Sequence, residues 1–128
     1  MATILIVDDE ASIVEIVTEV LSNEGHQVVT APDGLIGLEI LHQGLIPQLI
    51  LLDLFLPGIN GCDFITKVRA ELQLPDLPIL LMTGAIPDQS DLPPKGSFQE
   101  IIHKPFNLVD LIDKVDQSLA AATEKMIS

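Results

Sequence analysis

The sequence predicts an α/β domain in which one parallel sheet is covered by helices on both faces. Short apolar runs alternate with longer amphipathic stretches along the chain, and this alternation favours βαβ units with right-handed crossovers. One run, QLILL (48–52), is apolar throughout after its first residue, as expected of a strand buried on both sides. No repeat or linker divides the 128 residues, so residues 1–128 are expected to form a single domain.

The first part of the chain predicts three strands and two helices. Gly25 and Gly44 follow the two amphipathic stretches and are typical residues for ending a helix. Asp33 precedes the second helix and is the kind of side chain that caps a helix N-terminus. The predicted elements are strands over 3–7, 27–31 and 48–52 and helices over 10–24 and 34–43.

The second part of the chain continues the alternation, with one interruption. Asn107 is predicted to cap the last helix, and Asp110 completes a pair that resembles a capping box. Three prolines within 84–97 argue against a regular helix in that segment, where only a turn or a short irregular helix fits. The predicted elements here are a helix over about 61–72, strands over 78–82 and 99–103, and the helix after Asn107.

Composition excludes several classes of function. Nineteen acidic residues against six basic ones give a net charge of −13, so nucleic acid and anionic membrane surfaces are not expected as partners. The single Cys62 excludes an internal disulfide and a cysteine-based metal cage. The apolar runs are too short to span a membrane and no signal peptide follows Met1, so a cytoplasmic location is expected.

Polar residues stand at the ends of four of the five predicted strands. Asp8 and Asp9 follow the first strand, Asp53 the third, Thr83 the fourth and Lys104 the fifth. Ligands of open parallel sheets bind beyond the carboxyl ends of the strands, near the point where the strand order reverses. These five side chains are therefore expected to converge on one rim of the sheet.

The residue types at this rim suit phosphoryl chemistry. Neighbouring carboxylates repel each other by roughly 4 kcal/mol per pair at an effective dielectric constant near 20. Mg²⁺ would offset this repulsion, because it binds carboxylates together with water and phosphate oxygens. Lys104 and Thr83 would contact a phosphoryl group, and Asp53 is the best candidate nucleophile because its strand is the most buried. Each feature alone is ordinary, since an Asp-Asp pair after a strand is more often a helix cap.

Four motifs together resemble the receiver domain of two-component response regulators. They are ILIVDDE (4–10), LLDLFLPGINGCDF (51–64), LLMTGA (80–85) and HKPF (103–106). The resemblance covers a core of residues 3–120. It implies a flavodoxin-like, doubly wound, five-stranded parallel sheet of order 2-1-3-4-5, here with an irregular or shortened fourth helix.

The resemblance also implies a metal and a phosphoacceptor. Asp53 would accept a phosphoryl group from a phosphohistidine on a partner histidine kinase or phosphotransfer protein. Asp9 would ligate Mg²⁺ directly and Asp8 through water, with further oxygens from Asp53 and from the backbone carbonyl of Phe55. Such a domain is a signalling switch that assists its own phosphorylation and dephosphorylation, and it is not an enzyme.

Further roles implied by the resemblance belong to residues of the fourth and fifth strand ends. Thr83 would bond a phosphoryl oxygen after the switch, and Lys104 would pair with its charge. Pro105 follows a peptide bond that is often cis in the family. Ile101 stands where the family commonly has an aromatic switch residue, so the usual aromatic movement is not expected.

Phe55 and Ala85 are apolar at positions that tune self-hydrolysis, which predicts a long-lived phosphoryl state.

Two other functions are compatible with parts of the sequence. Ile101 and the proline-rich segment favour a constitutive interaction domain on a receiver scaffold, whereas the Asp8, Asp9, Asp53, Thr83 and Lys104 set argues against it. A Mg²⁺-dependent phosphohydrolase would usually carry a second acid at the position of Phe55. The output would be a downstream protein or a covalently linked domain, and a homodimer stays open. Since the chain ends at Ser128, either a stand-alone receiver or a part of a longer protein is expected.

Overall fold

The computed structural model describes residues 2–84 and 91–127. Helices and strands alternate as the sequence predicts, and the last helix is the longest element. In chain order the elements are β1 (Thr3–Val7), α1 (Ala11–Asn23), β2 (Gln27–Ala31), α2 (Gly34–His42), β3 (Leu49–Asp53), α3 (Gly61–Thr66), a π-helical turn (Lys67–Glu71), β4 (Ile79–Thr83), β5 (Glu100–His103) and α4 (Leu108–Ile127).

The five strands form one parallel sheet of order β2-β1-β3-β4-β5, which confirms the predicted topology. The strand order reverses beside β1, because the chain first adds β2 on one side and then β3 on the other. Every pairing is parallel, so all carboxyl ends lie at the same edge. This edge, next to β1 and β3, is where a doubly wound sheet binds its ligands.

Two apolar layers hold the helices against the sheet, one on each face. The α2–α3 core contains Leu38 and Leu41 of α2 and Phe64 of α3, which pack on one face of the sheet. The α1–α4 core contains Val17 of α1 and Leu111 of α4 on the other face. All five residues of β3 and of β4 are buried, which confirms that the central strands are covered on both sides. The sheet edge that carries the polar residues is therefore held by a rigid interior.

Side-chain caps stand at the start of α2, α3 and α4, and two of the three were predicted from the sequence. The Asp33 side chain accepts a hydrogen bond from the Ile36 backbone nitrogen at 2.8 Å, which confirms the predicted cap of α2. The Asn107 side chain accepts one from the Val109 nitrogen at 2.8 Å at the start of α4. Asn60, which the sequence analysis did not single out, caps α3 in the same way.

The helix predicted over about 61–72 is present over residues 61–71, but its second half is π-helical. Its α-helical part ends at Thr66, and the chain widens into the π-helical turn. There the Leu72 nitrogen bonds the Lys67 carbonyl, and the Leu74 nitrogen reaches back to the Val68 carbonyl. Gln73 between them takes a positive φ of 54°. The spacing of the apolar residues alone does not distinguish this π-helical end from a regular α-helix.

The proline-rich segment is only partly within the described residues. Residues 91–97 contain turns and bends without a regular α-helix, as predicted, whereas residues 85–90, including Ala85, lie outside the described residues. The guanidinium of Arg69 donates to three backbone carbonyls, those of Leu74 and Leu77 before β4 and that of Ser97 before β5. Burial lowers the pKa of Arg69, and these bonds tie the π-helical turn to both loops.

β3 and β4 each begin and end one residue later than the sequence predicts. β3 includes Asp53 and β4 includes Thr83, so both residues end their strands instead of following them. Among residues 2–84 and 91–127, no helix is long and apolar enough to cross a membrane.

Candidate functional site

The carboxyl edge of the sheet places the polar residues through backbone pairing. The Asp8 nitrogen bonds the Ala31 carbonyl at 3.1 Å, which extends β1 alongside β2. The Lys104 nitrogen bonds the Thr83 carbonyl at 2.7 Å, which continues β5 past its last residue. Asp8, Asp53 and Lys104 therefore lie close together at the strand ends of a rigid sheet. Asp8 and Lys104 are nevertheless 96 positions apart in the sequence.

The ammonium of Lys104 is the centre of the site. Its Nζ lies 2.9 Å from Asp8 Oδ2 and 3.1 Å from Asp53 Oδ2. It also lies 2.8 Å from Glu10 Oε1. The side chains of Asp8, Asp53 and Lys104 are at most 7% exposed, whereas that of Glu10 is 53% exposed. One buried cation is thus surrounded by two buried carboxylates and one at the surface.

Backbone hydrogen bonds orient the two buried carboxylates. Asp8 Oδ1 accepts from the Glu10 nitrogen at 2.9 Å, and Asp53 Oδ1 accepts from the Phe55 nitrogen at 3.0 Å. In each residue the second oxygen, Oδ2, is the one that contacts Lys104. Each side chain is therefore bound at one oxygen by the loop that follows it and at the other by the ammonium.

Burial and neighbouring groups shift the pKa values of Asp53 and Lys104. Burial raises the pKa of Asp53, and the Phe55 amide and Lys104 only partly oppose this effect. Burial alone would lower the pKa of Lys104, but hydrogen bonds to Glu10 and Asp8 and the charge of Asp53 together raise it above its usual range. Lys104 is therefore a permanent cation at neutral pH, and it stabilises the ionised form of Asp53.

The same carboxylates have the chemistry of a site for a hard cation. Ligand oxygens of Asp8, Glu10 and Asp53 all lie within 4.8 Å of one another. Oxygen ligands with concentrated negative charge suit Mg²⁺, and the cluster already surrounds one cationic group, the Lys104 ammonium. The residues present at this rim therefore fit a divalent cation.

The remaining predicted residues lie around this cluster in different environments. Asp9 is exposed and does not belong to the group of close carboxylates, whereas Glu10, which the sequence analysis did not select, does. Thr83 is fully buried at the end of β4, and Phe55 is 44% exposed beside the phosphoacceptor candidate. The signal that could have identified Glu10 is its place as the third consecutive acid after β1.

Two residues of the β5 region complete the predicted set. Ile101 is partly buried and packs against the α2–α3 core, where the resemblance implies an aromatic ring. The peptide bond between Lys104 and Pro105 is cis, as the resemblance implies.

The fold and this site together define a class of protein: a doubly wound α/β domain with an acidic, lysine-containing pocket at the point of strand reversal. Comparison with known proteins identifies the family. The family model described as the response regulator receiver domain matches residues 4–116. The chain belongs to the response regulator receiver domain family, whose members are signalling domains of two-component systems.

Individual relatives agree with this assignment. The chain is 33% identical over 120 residues to the uncharacterized transcriptional regulatory protein YcbL of Bacillus subtilis, an alignment that covers 94% of this chain and 52% of that protein. It is 39% identical over 112 residues to the DNA-binding response regulator MtrA of Mycolicibacterium paratuberculosis, covering 88% of this chain and 48% of MtrA. The chain thus spans about half the length of the curated relatives it matches.

A solved structure shows the same fold over a complete chain. The CheY-like receiver domain protein of Methanospirillum hungatei superposes with a TM-score of 0.87 at 26% identity, covering 98% of this chain and 98% of that one. The predicted receiver resemblance and flavodoxin-like fold are therefore confirmed.

Proposed function

We propose that this receiver domain is a phosphoryl-accepting switch in which Asp53 is the phosphoacceptor. The observation that carries the proposal is the position of the Lys104 ammonium between Asp8 Oδ2 and Asp53 Oδ2 at the carboxyl edge of the sheet. Asp53 is oriented by the sheet and by the Phe55 amide, so one carboxylate oxygen is held in a fixed direction beside a cation. This pre-organisation is what transfer of a phosphoryl group to a carboxylate requires.

The proposed donor is a phosphohistidine on a histidine kinase or phosphotransfer protein. An oxygen of Asp53 forms the new bond to phosphorus while the phosphorus–nitrogen bond of the donor breaks. The leaving imidazole keeps the electron pair of that bond and takes up a proton from solvent. Lys104 pairs with the charge of the transferred group, and Thr83 donates a hydrogen bond to one of its oxygens.

We propose that Mg²⁺ is the cofactor, held by Asp8, Asp9 and Asp53 with the backbone carbonyl of Phe55. When bound, it supplies positive charge to neutralise phosphoryl oxygens. Of these residues, Asp8 and Asp53 belong to the close carboxylate cluster, and Asp9 adjoins it in sequence. The output partner is a downstream protein or a linked output domain, which the curated relatives' additional length supports.

The direct test is the intact mass of the protein after incubation with Mg²⁺ and acetyl phosphate. Mass is a suitable measurement because the chain has no Trp for a fluorescence assay. We expect one phosphoryl adduct on the wild type and none on Asp53→Asn. Asp113→Asn, which changes an exposed acid on α4, is the matched control and should be modified like the wild type. Absence of an adduct from a wild type that binds Mg²⁺ would refute the proposal.

The lifetime of the phosphoryl group depends on the residue two positions beyond Asp53. Phe55 is exposed and apolar there, so it cannot hold a water molecule for attack on the phosphorus. We expect the phosphoryl group to decay slowly and Phe55→Asn to shorten its half-life. Decay of the adduct can be followed by intact mass after the phosphodonor is removed. A half-life of seconds in the wild type would contradict this prediction.

A further inference from the structure

Glu10 contacts Lys104 from outside the buried pair and has no part in the function proposed above. We propose that Glu10 is a positioning residue for Lys104: it retains the ammonium at the rim when a divalent cation is bound by Asp8 and Asp53. This inference rests on the proposed function, because it concerns the same site when the cation is present.

The geometry separates the partners of Lys104 into an inner pair and an outer carboxylate. The inner side chains, Asp8 and Asp53, are 0% and 7% exposed, and Glu10 is 53% exposed. Glu10 is nevertheless as close to Nζ as either of them, at 2.8 Å. Its backbone is fixed, since the Glu10 nitrogen donates to Asp8 Oδ1 at 2.9 Å. A surface carboxylate on a fixed backbone position is thus within reach of a buried ammonium.

The Lys104 ammonium and a bound divalent cation would compete for the carboxylate oxygens of Asp8 and Asp53, and this competition gives the contact between Glu10 and Lys104 its role. Asp8 Oδ2 and Asp53 Oδ2 contact the ammonium, and the same carboxylates are proposed to hold Mg²⁺. An ammonium and a divalent cation on shared carboxylates repel each other, so Lys104 must loosen its inner contacts when the cation is bound. Lys104 has three carboxylate partners among residues 2–84 and 91–127, and of these only Glu10 lies outside the proposed ligand set. Glu10 therefore keeps the ammonium near the position of the phosphoryl group.

A double-mutant cycle on Mg²⁺ affinity tests this role. The affinity of the folded protein is measured by titrating Mg²⁺ and following backbone amide resonances, for the wild type, Glu10→Gln, Lys104→Met and the double variant. Since a partly exposed ion pair is worth well under a tenfold change in an equilibrium, we expect Glu10→Gln to weaken Mg²⁺ binding about threefold. In the Lys104→Met background, the same substitution should change the affinity no more than a distant charge does.

Glu39→Gln supplies that distant charge, because Glu39 is an exposed acid on α2 whose carboxylate accepts a hydrogen bond from the Gln43 side chain at 3.5 Å. A loss of affinity that persists in the Lys104→Met background would show that Glu10 acts directly on the cation, and would overturn the inference while leaving the proposed function intact. A wild type that does not bind Mg²⁺ would overturn the proposed cofactor as well. Equal melting temperatures of Glu10→Gln and wild type in EDTA exclude an unfolding artefact.

Discussion

Replacing Lys104 by methionine should destabilise the protein strongly in the absence of metal. The substitution keeps an unbranched side chain of similar length and removes the ammonium. Asp8 and Asp53, whose side chains are at most 7% exposed, would then face each other without a compensating cation. Leaving buried charges uncompensated is far more destabilising than replacing a whole ion pair by apolar groups.

The expected loss can be bounded from the exposure of each partner. Breaking a buried pair by removing one partner costs about 3–5 kcal/mol, and the exposed Glu10 adds little. We expect about 3 kcal/mol, because one of the two remaining carboxylates can take up a proton. For a domain of this size that corresponds to a melting temperature lower by roughly 10 °C.

Urea denaturation in EDTA, followed by circular dichroism, measures this loss. Lys67→Met is the matched control, because Lys67 forms an exposed pair with Glu71 at 3.5 Å and should change stability by less than about 0.5 kcal/mol. Mg²⁺ should stabilise Lys104→Met more than the wild type, since the competing ammonium is gone. Equal stability of Lys104→Met and wild type in EDTA would refute the electrostatic reasoning.

Three further predictions concern stability. Arg69→Met leaves three backbone carbonyls without their donor and should lower the unfolding free energy by about 2 kcal/mol in urea denaturation. Gly61→Ala should be destabilising by about 1–3 kcal/mol, because its Cβ would lie 2.9 Å from the Leu54 carbonyl oxygen. At Gly84 the nearest atom of the described residues is Lys104 Cβ, 3.9 Å away, and alanine should be tolerated. Burial raises the pKa of Asp53 in the folded protein above its value in the unfolded chain. The ionised carboxylate therefore lowers the free energy of unfolding at pH values above the folded-state pKa, and this effect is lost at pH values below the unfolded-state pKa. Asp53→Asn should therefore be more stable than wild type at pH 7 in EDTA, with an advantage that shrinks as the pH falls towards about 4; an advantage independent of pH would contradict this.

Much of the fold follows from local patterns in the sequence. The uninterrupted apolar run that includes Leu49–Leu52 indicates a strand covered on both faces, and β3 is buried throughout. Asp33 and Asn107 predict where α2 and α4 begin, because capping depends on a few adjacent residues. The end of α3 was not predictable in this way, since it depends on Arg69 reaching carbonyls in two other loops.

The site was predictable where the sheet alone places a residue. Asp8, Asp53 and Lys104 follow from strand ends at a shared edge, and the structure brings them together. Glu10 was missed because its contact depends on the length of a flexible side chain after the strand, which a strand-end rule does not describe. Asp9 was selected by the same rule, although its side chain is exposed and outside the close cluster.

The charge of the cluster explains why a cation and a phosphoryl group should bind together. Asp8, Glu10, Asp53 and Lys104 carry a formal charge of −2 in their ionised forms. Phosphorylation would replace the single charge of Asp53 by about −1.5 to −2, at a residue that is only 5% exposed. With the ammonium already counted, the cluster would then carry about −2.5 to −3, and a divalent cation would reduce this to about −0.5 to −1. In the proposed function, the phosphoryl group and the metal would therefore stabilise each other's binding, and Lys104, retained by Glu10, would pair with the phosphoryl charge.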